Sequence, residues 1–198
     1  MQQPAKLNYK VYQGSTFQEI YRWESQTKVY APIQSISKAA PCVITTTTNS
    51  NIPQGWRFRV TGVQGMKEIN TTGDAFYVAT EISGSQVTVN EINSAAYTAY
   101  TSGGILEYNQ PVDLAIYSAR MQIRENIDST TVIHEATSAN NQIVLNNTNK
   151  TITITIPAGV TQNFTFQSAV YSVELFEGGG RVIPFLVGNL SLVREVTR

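Results

Sequence analysis

Thr151-Ile-Thr-Ile-Thr-Ile156 decides the reading of this chain. Its three Ile fall on every second position, the period of a strand with one buried face. A helix would scatter the same side chains around its circumference. Both residue types are β-branched, which suits a pleated surface. Working outward, Tyr117, Ala119, Met121 and Ile123 share one face while Ser118, Arg120, Gln122 and Arg124 share the other. Ala169, Tyr171, Val173 and Leu175 oppose Ser172 and Glu174, and Gly178-Gly179-Gly180 turns the chain back into Val182–Val187. Pro184 marks that last stretch as an edge or bulged strand. Thr131–Ala136 and Gln142–Leu145 are shorter strands, and Leu190–Val196 is the final one.

Toward the N-terminus the pattern is weaker. Leu7–Val11 reads as a short strand broken at Gln13-Gly14. In Thr16–Trp23, Phe17, Tyr21 and Trp23 share a face that Glu19 interrupts. From Ala31-Pro32 the texture changes, through Lys38-Ala39-Ala40-Pro41 and the Thr45–Thr48 run to a turn over Asn49–Gly55. Trp56, Phe58 and Val60 alternate with Arg57, Arg59 and Thr61. Phe76–Ile82 and Gln86–Ile92 flank Ser83-Gly84-Ser85, a turn of hairpin length. Asn93–Tyr100 has room for one helical turn, and Ser102-Gly103-Gly104 precedes a strand at Ile105–Tyr108.

These patterns predict an all-β chain: an immunoglobulin-like β-sandwich with a small inserted β-barrel. The sandwich is assigned residues 1–29 plus 110–198 and the barrel residues 30–109, because neither flank has enough strands alone. Insertion through a loop is tolerated where its two ends lie close together.

Composition narrows the function classes. The 198 residues carry 14 basic and 14 acidic side chains, so no basic stripe awaits a phosphate backbone and no polybasic anchor a membrane. One Cys, Cys42, leaves no intrachain disulfide or multi-thiolate zinc site, and one His, His134, leaves no two-imidazole centre. The start, Met1-Gln-Gln-Pro, lacks signal-peptide character, and no apolar run approaches about 18 residues. The expectation is no membrane insertion, no nucleic acid and no cofactor or metal.

The residues with chemistry each have a plainer reading. His134, beside Glu135, is a general-base candidate without a visible partner, so it reads as a sheet-surface side chain. Cys42, among Pro41, Val43 and Ile44, reads as a buried small hydrophobe. Asp74, Asp113 and Asp128 are scattered, without calcium-loop spacing. Trp23 and Trp56 read as core anchors, whereas Tyr97, Tyr100 and Tyr108 are available for stacking on sugar rings. Gly178-Gly179-Gly180-Arg181 lacks the Lys-Ser/Thr and helix of a phosphate loop. The sequons at Asn149 and Asn163 match the abundance of Asn and Thr. No catalytic residue is assigned.

Two segments carry family resemblances. Ile36-Ser-Lys-Ala-Ala-Pro-Cys-Val-Ile-Thr45, Gly55-Trp-Arg-Phe-Arg-Val60 and Gly65-Met-Lys-Glu-Ile-Asn70 resemble a small β-barrel module of tailed-bacteriophage proteins. That module is labelled E1-FCCH-like for its shape and not for ubiquitin chemistry. Gln13-Gly-Ser-Thr-Phe17, Pro111-Val-Asp-Leu-Ala-Ile-Tyr-Ser-Ala-Arg-Met-Gln-Ile-Arg124, Val170-Tyr-Ser-Val-Glu-Leu175 and Arg194-Glu-Val-Thr-Arg198 resemble the immunoglobulin-like sandwich of phage tail and baseplate proteins. This chain has Asn49–Gly55 where the family commonly has a His-Gly turn.

The resemblance implies a virion component, made in the host bacterial cytoplasm, that acts by assembly and carries no activity. Its partners would be portal, tail, fibre or capsid proteins and copies of itself, with Val182–Val187 as a strand-addition edge. Rival readings are a receptor-binding module contacting host saccharide through Tyr97 or Tyr100, a head decoration protein, an envelope hydrolase, and a chaperone of tail assembly.

Overall fold

The computed structural model describes residues 3–196 and is almost entirely β. In chain order the strands are β1 (Ala5–Lys6), β2 (Tyr9–Tyr12), β3 (Phe17–Tyr21), β4 (Glu24–Ile36), β5 (Cys42–Thr46), β6 (Arg57–Gln64), β7 (Tyr77–Val78) and β8 (Glu81–Ser83). Next come β9 (Gln86–Val89), β10 (Ser102–Pro111), β11 (Tyr117–Arg124), β12 (His134–Thr137), β13 (Ile143–Asn146), β14 (Thr151–Ile156), β15 (Ser168–Glu177) and β16 (Val182–Val193). The helical turns are a 3-10 turn at Lys67–Ile69 and α1 (Ala158–Thr161). Asn93–Tyr100, expected to hold a helical turn, forms none. There the Ser94 hydroxyl donates to the Ser37 and Ala39 carbonyls, at 2.6 and 3.0 Å, which ties the segment to the β4–β5 loop instead.

Two compact units divide the chain, Met1–Trp23 with Asp113–Arg198, and Glu24–Val112. The sequence pattern places the junctions near residues 29 and 110. They differ because β4 is one strand of thirteen residues that starts at Glu24. Pro32 reads as a break in sequence, yet it sits where β4 passes from one neighbour to the next. Up to Pro32 the strand pairs with β10, and from Ile33 it pairs with β5.

The first unit is a two-sheet sandwich, the layering of the immunoglobulin-like class. One sheet runs β1-β16-β15-β11-β12 with β2 also on β16, and the other runs β13-β14-β3. Ile152, Ile154 and Ile156 are fully buried, as are Met121, Ile123, Val173 and Leu175. Each such side chain contributes about 1.5–3 kcal/mol relative to exposure. Glu19 does lie on the inward face of β3 with Phe17 and Tyr21, half-buried, while Ile20 points out. Trp23 is partly buried, stacked between Tyr117 at 5.4 Å and Phe185 at 5.9 Å.

Three local readings change. The expected strand Leu7–Val11 starts later, as β2 at Tyr9, and is preceded by β1 and the Leu7-Asn8 link; both strands run parallel to β16. Val182–Val187 and Leu190–Val196 are one strand to Val193. Pro184 does mark a bulge, since pairing slips so that Glu174 faces Pro184 while Val173 faces Leu186. Of the edge assigned to strand addition, Val182–Val187, Leu186 and Val187 pair with Ala5 and Lys6, whereas Val182–Pro184 pair on one side only, with β15.

The second unit is one sheet, β7-β6-β10-β4-β5-β9-β8, curled into a half-barrel. Its core gathers Ile44, Trp56, Phe58, Val60, Met66, Ile69, Val87, Val89 and Leu106. The Trp56 indole donates to the Asn109 carbonyl at 2.8 Å, so its one polar atom is satisfied in the interior. Gly104, at φ +94°, has no room for a Cβ beside Val63 on the adjacent strand.

Candidate functional site

The outer face of the half-barrel carries a groove lined by charged and aromatic side chains. In β6, Phe58 and Val60 point into the core, which turns Arg57, Arg59 and Thr61 outward. In β10, Leu106 and Tyr108 point in, leaving Ile105, Glu107 and Asn109 outside. In β4, Ala31 and Ile33 point in, leaving Lys28, Tyr30 and Pro32 outside. Register aligns these sets into rows. Glu107 lies between Tyr30 and Arg59, Ile105 between Pro32 and Thr61, and Asn109 opposite Lys28.

Charges on this face are paired. Arg57 donates through Nε and Nη2 to the two oxygens of Glu24, at 2.6 and 2.7 Å, in a bidentate fork. Asn109 donates to the same carboxylate at 3.0 Å. Lys28 pairs with Glu107, and Arg59 meets Asp74 at 3.4 Å. The Arg57 guanidinium also lies over the Phe76 ring, 5.5 Å from its centroid. Burial works to raise the Glu24 carboxyl, but the hydrogen bonds from Arg57 and Asn109, with the Arg57 and Lys28 charges, hold it below its ordinary value.

These residues line a groove of about 490 Å³. Every carboxylate lining it is engaged by a cation. Beside the charges stand exposed Tyr30, Ile105 and Phe76, at 59%, 40% and 49% exposure. Aromatic side chains and Arg are enriched at protein-contact surfaces, whereas Lys, Glu and Asp, which also line this groove, are depleted there. No family model matches the chain, and no curated protein is significantly similar to it.

Of the residues singled out in sequence, Asp74 and Tyr108 line this groove, and the others lie elsewhere and mostly apart. His134 Nε2 is 2.6 Å from the Gln142 side-chain oxygen, and its ring leans on Phe164 at 6.1 Å. Cys42 is fully buried, and that burial raises its thiol pKa. Asp74, Asp113 and Asp128 fall in three separate loops, and only Asp74 reaches the groove. Among the described residues no group of three His, Cys, Asp or Glu could hold a metal ion.

Of the aromatics, Tyr108 is buried, with its hydroxyl donating to the Ser50 carbonyl at 2.6 Å. Tyr97 and Tyr100 pack half-buried against the core, and the Tyr100 hydroxyl reaches the carbonyls of Ile33 and Gly103, at 3.1 and 2.9 Å. Gly178-Gly179-Gly180 forms a hairpin turn, closed by a Gly180 N–H to Glu177 carbonyl bond of 2.9 Å.

Tyr30 and Phe76 escaped the sequence reading. The alternation of Arg57 and Arg59 against Trp56 and Phe58 signalled an outward polar face, but nothing local says which strands lie beside it.

Proposed function

We propose that this chain is a structural component of a tailed-phage particle, an adaptor or decoration at the neck, tail or baseplate that works by protein–protein assembly. The observation that carries the assembly reading is the outer face of the half-barrel, where exposed Tyr30, Ile105 and Phe76 stand among charges that already have partners. Such a face can be covered without leaving a buried charge unpaired, the condition for a favourable contact. The phage setting is supported by the quoted sequence resemblances. The partners are portal, tail, fibre or capsid proteins and further copies of this chain. Repetition around a symmetric particle makes contacts that are weak singly strong collectively.

The test is quantitative mass spectrometry of gradient-banded particles, counting this chain against portal and capsid proteins. A small multiple of a ring symmetry is the expected result. Copies in the hundreds would place it on the head surface as a decoration. Absence from particles would overturn the proposal.

A further inference from the structure

We infer that the outer face of the six-stranded sheet is a docking groove for an extended protein segment bearing two carboxylates with an apolar side chain midway between them. That the ligand is a protein rests on the assembly reading; the groove's chemistry does not.

The groove, of about 380 Å³, runs across four strands: Lys6 on β1, Val187 and Asn189 on β16, Val170 and Ser172 on β15, and Gln122 and Arg124 on β11. Register orders them into two rows, Lys6–Val187–Ser172–Gln122 and Asn189–Val170–Arg124. The floor between the cations is therefore largely Val170 and Val187. At the lip stands Ile127, 87% exposed, an aliphatic side chain that the unit's own core does not use.

The charge is one-sided. Among the described residues, Lys6 and Arg124 are the only ionisable lining groups besides the Tyr171 phenol, and neither forms an ion pair with a carboxylate. Arg124 donates instead to the Ser129 carbonyl and the Gln122 side-chain oxygen, at 2.6 and 2.9 Å, which holds its guanidinium in place. Of the acids nearby, Glu174 pairs with Arg120 and Glu135 accepts from Gln122 at 2.5 Å, while Glu125 lines a different groove and Asp128 follows Ile127 in the exposed loop, outside the lining. This differs from the half-barrel face, where cations and carboxylates are matched.

Spacing then selects the ligand. Lys6 and Arg124 are three strands apart at about 4.8 Å per strand and two residues apart along the strands, roughly 16 Å in all, a span that the reach of the long cationic side chains shortens. An extended segment covers about 13 Å in four residues and points residues i, i+2 and i+4 to one side. A segment crossing the strands would set a carboxylate at i against one cation, an apolar side chain at i+2 on the valine floor, and a carboxylate at i+4 against the other.

The probe is the blocked peptide acetyl-Glu-Ser-Leu-Ser-Glu-amide, titrated into ¹⁵N-labelled full chain to millimolar concentration. Controls replace both Glu by Lys, or Leu by Ser. The expected result is a saturable shift of the Lys6, Ser172 and Val187 amides, absent with the Lys peptide and at least five-fold weaker with the Ser peptide. Lys6→Glu should weaken the Glu peptide about ten-fold, and Ile127→Ser should weaken it less. Both positions are exposed, so the variants should keep the wild-type spectrum outside the groove. Binding by Lys6→Glu should return when one Glu of the peptide is changed to Lys. Shifts elsewhere, no shift at millimolar peptide, or equal binding of the Lys control would overturn the groove assignment. Particle composition is read separately, so a failed groove leaves the assembly proposal standing, and absence from particles leaves the groove standing.

Discussion

Replacing Gly188 by Ala should release the N-terminal strands from the sandwich. A Cβ at this position would fall on the Leu7 carbonyl, within contact of its oxygen and 2.7 Å from its carbon, with Tyr171 Cε1 at 3.1 Å. The obstacle is backbone, so no rotamer change relieves it. The Leu7-Asn8 link between β1 and β2 must lift away. Three hydrogen bonds depend on it: Leu7 N–H to the Val187 carbonyl at 2.9 Å, Tyr171 hydroxyl to the Leu7 carbonyl at 3.0 Å, and Asn189 N–H to Asn8 Oδ1 at 2.9 Å. At a net 0.5–1.5 kcal/mol each, their loss comes to about 3 kcal/mol. Native-state hydrogen exchange reads this locally, and that free energy corresponds to protection falling on the order of 100-fold at Leu7 and Asn189. Gly179→Ala is the control, because nothing lies within 4 Å of a Cβ there. If Gly188→Ala keeps wild-type protection at Leu7 and unfolds within about 0.5 kcal/mol of wild type, the close approach is not what fastens these strands.

Other substitutions test the second unit. Ser94→Ala removes a buried hydroxyl that bonds Ser37 and both backbone groups of Ala39, and should cost about 2 kcal/mol in denaturant unfolding. Ser50→Ala deletes a buried hydroxyl that has no hydrogen-bond partner among the described residues, and should be neutral or stabilising by up to about 1 kcal/mol in the same assay. Trp56→Ala should cost about 3–5 kcal/mol, measured by chemical unfolding, and leave the Asn109 carbonyl unpaired. Glu24 has a depressed folded pKa, so its ion pair stabilises the second unit above the ordinary carboxylate pKa of about 4.3 and is lost as pH falls through the lower folded value. Glu24→Gln should flatten the fall of the unfolding midpoint between pH 5 and the acid limb, and an unchanged slope would count against the pair.

Much of the sandwich was legible because period two survives wherever one face is buried and the other wet. Ile152, Ile154 and Ile156 are read from sequence and found buried as expected, as are Met121 and Val173. Legibility failed where a strand changes role along its length. β4 carries Ala31-Pro32 at the handover between β10 and β5, and a proline there looks like a terminator. β16 contains Gly188-Asn189, which looks like a turn but is where Leu7 crosses close.

The candidate surfaces divide the same way. That Arg57 and Arg59 face away from Trp56 and Phe58 follows from alternation, a property of one strand. That Glu24 and Asn109 meet Arg57, or that Lys6 and Arg124 bracket Val170 and Val187, depends on which strands are neighbours and in what register. Strand order joins residues more than a hundred positions apart through backbone hydrogen bonds that are alike for every side chain. Local pattern therefore determined the all-β class and the inward and outward faces, and only the tertiary pairing decided which outward residues share a site.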